Sequence, residues 1–115
     1  MHANHAHEID DSVRHACRQL SAAGVTLLNQ SVLLKGVNDT VEALAELSEA
    51  LFETHVLPYY LHVLDKVRGA AHFDLPESRA LQLHRKLTAR LPGYLVPKLV
   101  REIAGAPAKT AVVGL

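Results

Sequence analysis

Side chains able to do chemistry fall in five places in this sequence. Asp65 closes an apolar run, VLPYYLHVL over 56–64, so a strand carries a carboxylate out to its end. His72 follows Gly69-Ala70-Ala71 in the loop beyond it, the best placed of the histidines. Asn29, Gln30 and Ser31 interrupt a second apolar run, and polar groups buried on a strand must be hydrogen-bonded, to one another, to backbone or to a ligand. His2-x-x-His5-x-His7 suggests metal, since imidazole is a common metal ligand. On a strand, however, His5 and His7 share a face while His2 points away. With no carboxylate or thiolate at a clear spacing, no metal site is expected. Lys109, in Gly105-Ala106-Pro107-Ala108-Lys109, reads on composition as a solvated tail lysine.

The elements that must position these groups alternate between the two periodicities. Asp10 or Asp11 can cap a helix over 11–22 carrying Val13, Ala16, Cys17 and Leu20 at helical spacing and ending near Gly24. An apolar strand follows over 25–34, closed by turn residues 35–39. Asp39, three residues before Glu42, has capping-box form for a helix over 40–54 with Val41, Leu44, Ala45, Leu51 and Phe52 as its stripe. A strand over 56–64 and a helix over 76–90 with Leu81, His84 and Leu87 come next. Pro92-Gly93 ends that helix before an extended stretch, 94–100, and a loop-like tail. His15, His55 and His84 fall on helices as surface or boundary residues.

Two apolar strands about 30 residues apart with a helix between them make a βαβ unit, so the class is α/β with a parallel sheet. With a short fourth strand counted at 2–5, helices cover only one side. The bare face predicts a missing half, a dimer, or a fragment cut from a barrel, of which the fragment is favoured.

The chain has 115 residues, enough for one domain or part of one, with 12 Lys+Arg against 12 Asp+Glu. Zero formal charge gives no footprint for nucleic acid or an anionic membrane, and no apolar stretch approaches the roughly 20 residues of a span. The expected compartment is the cytoplasm. One cysteine, Cys17, excludes an internal disulfide, a Cys-rich zinc site and a self-contained iron–sulfur cluster.

The segments HANHAHEID, LLNQSVLLKGVND, PYYLHVLDKVRGAAHF and GYLVPKLVREIAG followed by AKT resemble, in order and spacing, the C-terminal half of the lysine 2,3-aminomutase family of radical S-adenosylmethionine enzymes. They look closest to the bacterial branch that makes β-lysine for elongation factor P. The resemblance implies that residues 1–100 are the back half of a partial (β/α) TIM-like barrel and 101–115 a segment bearing the pyridoxal phosphate lysine. It implies S-adenosylmethionine, pyridoxal phosphate and a [4Fe–4S] cluster in the full-length parent, with lysine as substrate; a homo-oligomer is also expected. Asp65 matches the carboxylate that grips the substrate's ε-ammonium, and Glu102 matches a second carboxylate. Lys109 matches the lysine joined to pyridoxal phosphate. Gln30, His2, Asn4 and His5 match interior positions around S-adenosylmethionine. Thr40 stands where some members have a zinc-binding cysteine, so that zinc is not expected. The CxxxCxxC cluster motif is absent from this chain, so alone it is expected to be inactive. The competing expectation is a non-catalytic α/β module that self-associates through its open sheet face.

Overall fold

A computed structural model describes residues 1–63, 76–101 and 110–111. The elements in order are α1 (Asp11–Ala22), β1 (Leu27–Leu33), α2 (Val41–Glu53), β2 (Val56–Val63), α3 (Glu77–Arg90), β3 (Lys98–Arg101) and β4 (Thr110–Ala111), with 3-10 turns at Ala6–Glu8 and Gly93–Leu95. The sheet order is β1-β2-β3-β4. The first three strands are parallel, and β4 pairs antiparallel with β3. The α/β class and the parallel sheet hold.

Local chemistry accounts for most of the boundaries. Asp10 caps α1 by accepting the Val13 amide at 2.9 Å and the Ser12 hydroxyl at 2.8 Å. Gly24, at φ 87°, supplies the left-handed residue beyond the end of α1. The cap of α2 corrects the expectation: Thr40 accepts the Ala43 amide at 3.1 Å, while Asp39 turns back to the Gly36 amide at 3.0 Å. Asp39 thus builds the turn and leaves the helix end to its neighbour. His55 is not helical either; at φ 65° it is the left-handed residue that lets the chain leave α2 directly into β2.

The stretch expected to be extended from 94 is a 3-10 turn first. Leu95 and Val96 amides donate to the carbonyls of Pro92 and Gly93, and this dips Leu95 into the core before β3 starts. The tail is not all loop, since β4 adds to the sheet. No regular strand forms at 2–5. Instead Met1 makes the two backbone bonds of a parallel pair, to Leu28 and from Gln30, and side chains then take over. Asn29 grips both polar groups of the Ala3 backbone, and Asn4 Oδ1 accepts the Val32 amide. Buried Asn38 donates to the carbonyls of Asn4 and Val32 and accepts from Leu34, so three bonds finish the outer edge of β1.

All three helices pack on one side. A larger core joins Leu33, Leu61, Val63 and Leu99 of the strands to Leu44 and Ala45 of α2 and Ala80, Leu83 and Leu87 of α3. A smaller one joins Val56 to Ile9, Cys17, Leu47 and Leu51. The buried stripe of α3 is therefore Ala80, Leu83 and Leu87, with Leu81 and His84 at its margin. Phe52 is not in the stripe of α2; it is exposed and meets the exposed ring of Tyr94 at 5.4 Å between centroids.

Candidate functional site: the open face of the sheet

Strand alternation sends every other residue away from the helices. On β1 these are Leu28, Gln30 and Val32; on β2 they are Leu57, Tyr60 and His62; on β3, Lys98 and Val100. None of them belongs to either core, and among the described residues no helix covers this side.

A β-bulge decides which β2 side chains arrive there. The register runs Asn29 to Pro58 and then Gln30 to Tyr60, so Tyr59 is the extra residue. Val56 and Pro58 face the helices, and unbroken alternation would send Tyr60 and His62 there too. The bulge reverses the parity, so Leu61 and Val63 enter the core while Tyr60 and His62 emerge on the open face. Pro58 has no amide hydrogen to give to the ladder, a feature that suits an irregular pairing here.

The result is a graded surface. Leu28 and Leu57, register partners at the amino end, make it apolar. Toward the carboxyl end it is polar and aromatic: His62 Nε2 lies 2.9 Å from Gln30 Oε1, and the Tyr60 ring stands edge-on to His62 at 5.8 Å. Tyr59 packs on Tyr60 at 4.3 Å, and Lys98 Nζ lies 5.4 Å from the Tyr59 ring centre. A hydrogen bond with Tyr59, then the charge the two phenols would share, and last burial hold the Tyr60 pKa above the ordinary tyrosine value. Donors, acceptors and rings of this kind suit an organic ligand. The carboxyl ends of parallel strands are also where α/β sheets bind theirs.

The residues singled out in the sequence separate here. Of the three polar residues on β1, Asn29 and Ser31 are buried toward the helices, with Ser31 Oγ donating to the Tyr60 carbonyl at 3.4 Å. Gln30 alone reaches the open face. Asn4 has its carboxamide and backbone tied into the edge of β1 and the Glu8 carboxylate. His2 is exposed, and His5 caps the turn at Ala6–Glu8 through Nδ1, with its ring 4.3 Å from that of His7. Asp65, His72, Glu102 and Lys109 lie outside the described residues. Sequence reasoning passed over His62 and Tyr60, although a histidine within an apolar strand run three residues before Asp65 was a usable signal.

Cys17, the one cysteine, is buried under α1 in the smaller core. A [4Fe–4S] cluster held by several thiolates does not fit the residues of this chain.

No family model matches the chain. Over 109 residues, 95% of this chain, it is 59% identical to a protein named L-lysine 2,3-aminomutase from Escherichia coli, covering 32% of that protein. It is 58% identical over 109 residues to the L-lysine 2,3-aminomutase of Haemophilus influenzae, again covering 32% of it. Against the enzyme of Clostridium subterminale the identity is 41% over 111 residues, 96% of this chain and 27% of that protein. The chain thus spans about a third of the length of the curated relatives it matches.

Proposed function

We propose that this chain, which fits as a fragment of the L-lysine 2,3-aminomutase family, is the C-terminal part of an isomerase that converts α-lysine to β-lysine. The observation that carries the reading is the 59% identity over 95% of the chain. The polar carboxyl end of the open face is in keeping with it. That face is the interior wall of a partial barrel, completed by the upstream part of the longer protein.

Within this reading each residue has a defined task. Pyridoxal phosphate and S-adenosylmethionine, when bound, supply the radical chemistry that the protein cannot. Lys109 would hold pyridoxal phosphate through Nζ, and desolvation or a neighbouring cation would favour the free amine that this needs. Asp65 receives the ε-ammonium of lysine in a charge-assisted hydrogen bond, fixing the far end of the substrate. Glu102 supplies the second carboxylate. Gln30, His2, Asn4 and His5 border S-adenosylmethionine. The cluster is held upstream of this chain, so the fragment alone is inactive. The resemblance of the four motifs also supports elongation factor P as the destination of the product.

The test is the Lys109→Ala variant of the full-length protein, with pyridoxal phosphate added. The visible absorbance of protein-bound pyridoxal phosphate disappears if Lys109 holds it; a spectrum identical to that of the unaltered protein refutes the assignment.

A further inference from the structure

We infer that His62 is a positioning residue that aims the Gln30 carboxamide at a ligand on the open face. With Gln30 Oε1 facing His62 Nε2 at 2.9 Å, the ring nitrogen donates in the tautomer that carries its proton on Nε2, and one of the two acceptor sites of the amide oxygen is taken. The NH2 end of Gln30 is thereby the end that is aimed, and it can only donate. It therefore meets an acceptor: a hydroxyl, a carboxylate or an unprotonated ring nitrogen, all three of which S-adenosylmethionine carries.

The holding arrangement is built across two strands. Tyr60 sits opposite Gln30 in the register and sets its ring edge against the imidazole at 5.8 Å. His62 owes its presence on this face to the bulge at Tyr59, which therefore brings both restraining rings to the Gln30 side. A glutamine on a strand has three side-chain torsions to fix, and one bond from a ring held on its own strand fixes its outer end.

This inference rests on the reading of the face as the side of S-adenosylmethionine, and the experiment separates the two. S-adenosylmethionine is titrated into the full-length enzyme with its cluster in place. His62→Phe keeps a ring for Tyr60 to meet and removes the donor; it is expected to raise the Kd about tenfold, with the absorbance of bound pyridoxal phosphate unchanged. His62→Gln, which retains a donor, recovers most of that loss. In a Gln30→Ala background, His62→Phe adds nothing, because the residue it positions is gone. An unchanged Kd in His62→Phe overturns the inference alone, as does a loss that simply adds in the double variant. An unaltered enzyme that fails to bind S-adenosylmethionine overturns the proposed function and the inference together. Should His62→Phe not fold, His62→Met against His62→Gln makes the same comparison, donor lost against donor kept, and equal affinities overturn the inference.

Discussion

The two faces of the sheet are made by the same strands and often by adjacent residues, yet they obey different rules. Toward the helices stand Leu33, Leu61 and Leu99, each buried and packed on α2 or α3. Toward the other side stand Gln30, Tyr60 and His62, half-buried and joined through hydrogen bonds and ring edges. Packing fixes the first set, whereas on the second the polar groups are fixed by one another. Adjacent Asn29 and Gln30 teach the same lesson with similar side chains: the first is locked on the Ala3 backbone and holds the fold, the second is bonded to His62 on the open face.

Truncating the same residue type on each face should separate the two most strongly. Leu61, 0% exposed at the centre of the larger core, should lose about 2–5 kcal/mol of stability as Leu61→Ala. Leu57→Ala, at 39% exposure on the open face, should change the stability of this chain by less than about 0.5 kcal/mol. Urea unfolding of both variants decides, and equal losses would mean the open face is packed as well. Next in size is Asn29→Ala, which leaves the buried amide and carbonyl of Ala3 without partners and should cost about 1–3 kcal/mol in the same measurement. The smallest effect comes from the rim. Bonds from the Val13 amide and then the Ser12 hydroxyl hold the Asp10 carboxyl below its ordinary pKa. A carboxylate with a lowered folded-state pKa contributes stability above its unfolded-state value and loses it as pH falls through the folded one, so that contribution should fade below about pH 4. Asp10→Asn, which keeps the cap acceptor, should remove that part of the pH dependence in thermal melts; a melt profile identical to that of the unaltered chain would deny it.

Much of the scaffold was legible because it follows local rules. The helices at 11–22 and 41–53 are marked by their apolar spacing and flanking polar residues, and β1 and β2 by continuous apolar runs. What escaped depended on contacts distant in sequence. Both Asp39 and Thr40 can cap a helix, and only the turn to Gly36 decides between them. The run 56–63 is apolar on both faces, so no alternation reveals that Tyr59 is a bulge or that His62 changes sides. The short strand expected at 2–5 is instead an edge finished by the side chains of Asn4, Asn29 and Asn38. Asp65 and Lys109 are 44 positions apart (109 − 65), and no periodicity connects them; their pairing came from the resemblance of motifs.

In the proposed enzyme the open face, Asp65 and Lys109 border one cavity. A crystal structure of the full-length enzyme with lysine and pyridoxal phosphate bound tests it most directly. The expected result is Asp65 on the substrate's ε-ammonium, Lys109 at the coenzyme, and both on the side of the sheet that carries Gln30 and His62. Either residue found on the helix side of the sheet would contradict it.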